Sequence, residues 1–248
     1  MQPRSILAIT QGILDEVQYD NLNGELIGAD TPIARQMVQL ALRAGDELLR
    51  YADSQSGWPI LQKEHRFSTV GGQAEYDLPP DYERIIGETL WNRSENLQPR
   101  GPASPFEAQA IEYGLLGQTI TDQDRRYRIV GGKLRFYPAP THAEDFSFLY
   151  ISGYWIVHPD KTLGAEFLNN ADTIILDEWL FSSGLKSAFM KAKEIPGWET
   201  ERLQYEQERA KRLAEARGVR PIFIGGGEAG YYRDGMYYGP SLQPTQDG

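Results

Sequence analysis

The side chains in this chain that could do chemistry do not converge in sequence. The histidines His65, His142 and His158 stand far apart, and none has a second histidine at metal-ligand spacing. They read as ordinary histidines on strands and loops. Two acidic pairs, Asp81/Glu83 and Asp177-Glu178, could supply the acid and base of glycoside hydrolysis. Adjacent helical positions diverge by about 100°, however, so Asp177 and Glu178 would point apart. The glycine pairs Gly71-Gly72 and Gly131-Gly132 neither open a helix nor precede Lys-Ser/Thr, so turns explain them better than phosphate binding. Trp58, Trp91, Trp155, Trp179 and Trp198 could line a sugar platform, but they fall at element boundaries or on a core helix, where packing accounts for them. The absence of cysteine rules out disulfides and thiolate metal sites. No catalytic residue, cofactor or metal is expected.

The elements that would hold these residues are clearer. Residues 127–150 form the centre of a β module. Arg126-Tyr127-Arg128-Ile129 and Lys133-Leu134-Arg135-Phe136 alternate polar with apolar, the period of half-buried strands. Gly131-Gly132 between them suits a two-residue hairpin turn, and Pro138 and Pro140 end the second strand. Upstream, residues 62–70 and 74–78 read as a strand and a returning strand about the Gly71-Gly72 turn. Pro79-Pro80-Asp81-Tyr82 makes a rigid corner, and residues 83–91 read as one further strand. Ser104-Pro105 starts a short helix to residue 113. The strand over 145–157 completes the module.

Helices flank it. Ile6, Ile9, Ile13 and Val17 share one helical face, with Gly12 as a weak point. A loop follows over 20–28. Thr31-Pro32 then opens a second helix with the stripe Ile33, Met37, Leu40, Ala44, Leu48 and Tyr51, widened by Val38, Leu42 and Leu49. A third, capped by Asn170 or Asp172, runs through Ile174, Leu176, Trp179, Leu180, Phe181, Leu185 and Phe189 to about 194, apolar on most sides as a core helix should be. The last, over 198–217, has a narrow stripe of Leu203, Ala210, Leu213 and Ala214. Acids crowd its start and bases its end, an order that suits the helix dipole. Past Gly218 the chain turns glycine-rich, yet it carries Ile222-Phe223-Ile224, Tyr231-Tyr232 and Tyr237-Tyr238. Such a tail is either a solvated extension or an arm that orders on a partner, and its apolar content favours the arm.

This order of parts resembles the head-to-tail adaptor (connector) proteins of tailed bacteriophages, a portal-docking ring family. Glu75-Tyr76-Asp77-Leu78-Pro79-Pro80-Asp81-Tyr82 is similar to the family's Tyr-x-Leu-Pro-x-Asp corner. The hairpin over 127–138 is similar to its strand-Gly-Gly-strand-Pro element, and the large helix over 172–193 follows as expected. The likeness covers roughly 33–217; the additional N-terminal helix and long loop depart from it. It implies an α+β fold: a helical bundle over 1–57 and 163–218, an inserted antiparallel β domain over 58–162, and an extended C-terminal arm over 219–248. It also implies a homo-oligomeric ring, commonly a dodecamer, beneath the portal protein, with a downstream tail or nozzle protein below.

Double-stranded DNA would pass through such a ring without sequence-specific binding. The formal charge of −10 is wrong for a surface that wraps nucleic acid but suits a wall past which DNA slides. The last helix then offers Glu199, Glu201, Glu206 and Glu208 as channel-lining candidates. The arm offers Ile222, Phe223, Ile224, Tyr231, Tyr232, Tyr237 and Tyr238 for portal docking, and the 131–132 hairpin edge and the Pro79-Pro80 corner are expected to face outward. The implied location is the virion head-tail junction, reached through the host cytoplasm during assembly; no segment reads as a signal peptide or membrane span. Two alternatives remain: another ring-forming tail protein (terminator or tube-like), and a carbohydrate-acting enzyme or binding module.

Overall fold

The computed structural model describes residues 3–19, 22–51, 57–114, 124–216, 231–233 and 236–238. Helix α1 (Ile6–Glu16) starts where Ser5 Oγ accepts a hydrogen bond from the Ala8 amide, and it buries Ile6, Ile9, Ile13 and Leu14. Gly12 does not interrupt it. The Ile6 amide donates to the Asp172 carbonyl at 2.7 Å, so tertiary contact holds the helix start.

Helix α2 (Pro32–Tyr51) begins as expected, with Thr31 Oγ1 accepting from the Ala34 amide at 3.2 Å. Its buried face is Ala34, Met37, Ala41, Ala44, Gly45, Leu48 and Leu49, while Ile33 and Leu40 are only half-buried. The expected stripe is therefore rotated toward the small residues. The reason is close approach: a Cβ on Gly45 would lie 2.2 Å from the buried Trp155 indole.

The β region forms three small sheets. In the first, β7 (Asp145–Ser152) is central and pairs antiparallel with β1 (Gln62–Ser68), β3 (Tyr82–Ile85) and β4 (Trp91–Asn92). In the second, β6 (Lys133–Tyr137) lies between β2 (Glu75–Asp77) and β5 (Arg126–Val130). The third joins β8 (Ile156–Val157) to β9 (Leu163–Gly164) and β10 (Thr173–Ile174). The β5–β6 hairpin matches its sequence signal, with Gly131 and Gly132 at φ 60° and 75°. Helix α3 (Pro105–Glu112) carries a reciprocal capping box between Ser104 and Glu107.

Four expectations are corrected. The strands on either side of Gly71-Gly72 do not pair with each other: β1 joins β7 and β2 joins β6. The turn between them packs on the 140–144 segment instead, where the Gly72 amide donates to the Pro140 carbonyl and a Cβ on Gly71 would meet the Thr141 carbonyl oxygen at 2.7 Å. Residues 83–91 are two strands along one edge of β7, separated by a turn in which Thr89 Oγ1 donates to the Ile86 carbonyl. The strand over 145–157 breaks after Ser152, and β8 belongs to another sheet. The core helix α4 (Glu178–Ala192) starts later than expected, capped by Asp177, because 173–174 pair with β8.

Helix α5 (Trp198–Ala216) follows Pro196-Gly197, and α4 packs against α1, α2 and α5. The buried positions of α5 are Tyr205, Arg209 and Leu213, whereas Leu203 is 56% exposed. The expected apolar stripe thus splits between two sides of the helix.

Two hydrophobic clusters result. One joins the helices and takes in Trp58, Leu61, Ile86, Ile151, Trp155 and Ile156 from the β region. The other, inside the sheets, is Tyr76, Leu90, Tyr127, Leu134, Phe136, Phe146, Phe148 and Tyr150. The fold is mixed α+β, and no described helix is long and apolar enough to cross a membrane. Near the C-terminus, β11 (Tyr231–Arg233) and β12 (Met236–Tyr238) form an antiparallel hairpin.

Candidate assembly surfaces

The Tyr-Asp-Leu-Pro-Pro-Asp-Tyr corner is fastened to the β region through Tyr76 and Asp81. Tyr76 is buried, and its hydroxyl accepts from the Val70 amide and donates to the Gln73 carbonyl. Asp81 is buried too, and its carboxylate accepts from Lys63 Nζ at 2.6 Å, Ser152 Oγ at 2.7 Å and the Tyr150 hydroxyl at 2.9 Å. Burial alone would push its pKa up, but these donors outweigh that and hold it below the usual carboxylate range. Burial also raises the neighbouring phenol of Tyr82 to about 12. Of the two prolines, Pro80 is exposed and Pro79 half-buried. The hairpin edge expected to be open is partly covered, since β5 exchanges backbone hydrogen bonds with Arg100 and Ala103.

The carboxylate pairs considered for catalysis are occupied as structural ligands. Asp177 caps α4 and accepts from Arg212 at 2.5 Å, while Glu178 accepts from Arg4 at 2.6 Å. Glu83 is exposed and 3.7 Å from Arg50, apart from the buried Asp81. His65 lies against Phe67 and Phe148, where burial lowers its pKa. His158 Nδ1 lies 3.0 Å from Asp172 Oδ1, and the other carboxylate oxygen of Asp172 accepts from the Leu168 and Asn169 amides. His142 alone has a setting the sequence did not suggest. Its ring nitrogen is 3.3 Å from Glu95 and 3.6 Å from Glu144, and these ligand atoms lie within 4.8 Å of one another. Both carboxylate oxygens of Glu144 already accept hydrogen bonds, from Arg125 and Asn92.

The acids of α5 are also mostly paired. Glu201 binds Lys186 at 3.1 Å, Glu206 binds Arg202 at 2.7 Å, and Glu208 binds Arg212 at 2.9 Å. Glu199 is exposed with no ion-pair partner among the described residues. The interactions that fix α5 were not legible as a site: Glu47 on α2 accepts from Arg202 at 2.6 Å and from Arg209 at 2.5 Å. Arg202, Tyr205 and Arg209 stand three and four residues apart on one face, with both guanidiniums near 5 Å from the Tyr205 ring. That spacing was the available signal.

Apolar side chains are left outside in several places. Phe106 and Tyr113 flank the exposed side of α3, Leu203 stands on α5, and Ile60 projects from the short turn Pro59–Leu61. Beside Ile60 a groove of about 600 Å³ runs between Trp58, Ile175 and the C-terminal end of α5. This is a body tied together by buried polar fastenings, with large apolar side chains exposed on its exterior.

The family model described as SU10 adaptor protein matches residues 10–226. The chain belongs to the SU10 adaptor protein family. Membership gives it a structural role as a phage adaptor at the virion head-tail junction and implies interaction with portal and tail proteins. No curated protein matches the chain. The adaptor match takes in α1 from Thr10 onward and the 22–29 loop, which the resemblance had left aside. Both are built into the body: Asn170 Oδ1 accepts from the Leu26 and Ile27 amides at 3.0 and 2.7 Å. At the other end the match stops before the Tyr hairpin, in which Tyr231 pairs with Tyr238 and Tyr232 with Tyr237. Ile222, Phe223 and Ile224 lie outside the described residues but inside the match.

Proposed function

We propose that the chain assembles as a ring, a dodecamer by resemblance, between portal and tail. The ring extends the channel for double-stranded DNA, and residues 219–248 dock on the portal. The adaptor-family match over 10–226 carries this reading. Closed rings need heterologous interfaces, in which two different faces of one chain meet; the outward Leu203 of α5 supplies an apolar contact for one such face. In this reading 1–57 with 163–218 is the assembling body, 58–162 the inserted β unit, and the downstream tail or nozzle protein meets the far side. The part played is structural, not catalytic.

Among the channel-lining candidates Glu199 leads, because Glu201, Glu206 and Glu208 are offset by neighbouring bases. The net charge of −10 supports passage of DNA without grip. Electron microscopy of the adaptor alone and with its portal is the direct test. Rings on the portal are expected with the full chain and not with residues 219–248 removed. Docking unchanged by that deletion would sink the role of the arm, and failure to form rings with portal would sink the whole reading.

A further inference from the structure

The groove beside Ile60 lies where the helical body ends. Its apolar side is Trp58, Pro59, Ile60 and Ile175, and Ala216, the last residue of α5, lines it as well. Ile60 is 62% exposed although it stands next to the buried Trp58. Exposed isoleucine and proline over a buried indole form a seat for an apolar segment. We propose that Ile222-Phe223-Ile224 of the same chain occupies this groove in the free adaptor, so that only the Tyr hairpin at 231–238 is left to meet a partner.

Four observations select this occupant. Ala216, which lines the groove, is the last residue of α5, and Ile222 is six residues beyond it, a reach of up to about 20 Å when extended. Gly218 lies just past the helix end, where glycine lets the chain reverse. The groove lining carries three acids, Asp177, Glu208 and Glu215, against one base, Arg212, which pairs with Asp177 and Glu208, and Glu215 has no ion-pair partner among the described residues. Arg217 and Arg220 bring the opposite charge in the segment that leads to the triplet. Finally, the adaptor match ends at 226, so it groups the triplet with the body and leaves the Tyr hairpin outside.

In the free adaptor the assignment gives Ile222, Phe223 and Ile224 a role before portal docking, setting where the arm leaves the body. It rests on the adaptor reading only for the role left to the hairpin; occupancy of the groove is a property of the free chain.

The absence of cysteine makes a direct test clean. In a chain carrying Ile60→Cys and Phe223→Cys, mild oxidation is expected to form a disulfide within one chain, at a rate independent of protein concentration. A control with Ile60→Cys and Tyr237→Cys should react about tenfold more slowly or less. No disulfide above the control, or bridges only between chains, would overturn the proposal. Hydrogen exchange gives a second readout. The amides of 222–224 should exchange at least about tenfold more slowly than those of 241–248, and Ile60→Asp, at an exposed position, should remove that difference while protection of α2 and α4 stays. Equal exchange in the unaltered chain, or protection that survives Ile60→Asp, would also overturn it. Both measurements omit portal, so their failure is distinct from a failure of portal docking, which the 219–248 deletion reads.

Discussion

The two hydrophobic clusters keep their charges in different places. The sheet cluster is six aromatics and two leucines, and it encloses the ion pair between Arg125 and Glu144, both almost wholly buried. The guanidinium lies 6.0 and 5.9 Å from the Phe136 and Phe146 rings, and Asn92 donates to the same carboxylate at 2.7 Å. The helical cluster is largely aliphatic and keeps its Arg–carboxylate chemistry nearer the edge, where Arg209 is buried but Glu47 and Arg202 are each about a third exposed. The same pair of functional groups therefore does two jobs. Inside the sheets it is a condition for the strands to pack, because each group is buried against the opposite charge of the other. Between α2 and α5 it is a contact that water, salt and pH can adjust.

The sharpest way to break that contrast is Glu144→Ala. It removes the buried carboxylate that both Arg125 and Asn92 bind and is expected to cost roughly 3–5 kcal/mol in urea unfolding. Arg125→Met combined with Glu144→Leu should recover most of the loss. A cost below about 1 kcal/mol for the single change would remove the distinction between the clusters.

Gly45→Ala tests whether the helical cluster is as tightly set. In an open helix the change would help by about 1 kcal/mol. Here the new methyl meets Trp155, so a net loss of about 1–3 kcal/mol is expected. A raised thermal midpoint would show that the indole can move aside.

Glu47→Gln should have the smallest effect. Burial pushes the Glu47 carboxyl up, but hydrogen bonds and charge from Arg202 and Arg209 outweigh that, so its folded pKa lies below the ordinary value. Its stabilisation is thus fully present above the unfolded pKa of about 4.3 and is lost as pH falls through the folded value. Discounted for solvent exposure, Glu47→Gln should cost roughly 0.5–1 kcal/mol near neutral pH, and the gap from the unaltered chain should close in acid. A gap that is constant with pH would assign the loss to packing instead.

Much of this fold was legible from local chemistry. The Thr31-Pro32 start, the Ser104-Pro105 cap and the Gly131-Gly132 hairpin depend on residues adjacent in the chain, and each formed as its sequence indicates. What escaped notice depends on distant partners. Whether β1 pairs with β2 or with β7 is decided by the 140–144 segment, nearly seventy residues further on. The true inner face of α5 was hidden because burial of Arg209 needs Glu47, 162 residues away. Leu203 looked like core on hydropathy alone, yet it lies outside because Tyr205 and Arg209 fill the inner side. The functional assignment was legible as an order of elements and is supported by the family match. Side-chain chemistry alone offered only decoys, such as Asp177-Glu178, that turned out to be a helix cap and a tie to Arg4.

The clasp at 170–172 also bears on the order of events at the ribosome. Helix α1 is made well before the groups that hold it: Asp172 and Asn170 receive its first amides, and Glu178 on α4 receives Arg4 across 174 residues of sequence. The loop at Leu26 waits 144 residues for its own ligand on Asn170. The two sheets built from β1 to β7 can therefore close while the residues of α1 are still without their partners, and the helical body is completed only after α4 has left the exit tunnel. Faces that need α1 and α4 packed together are therefore absent until the chain has been made to about residue 192.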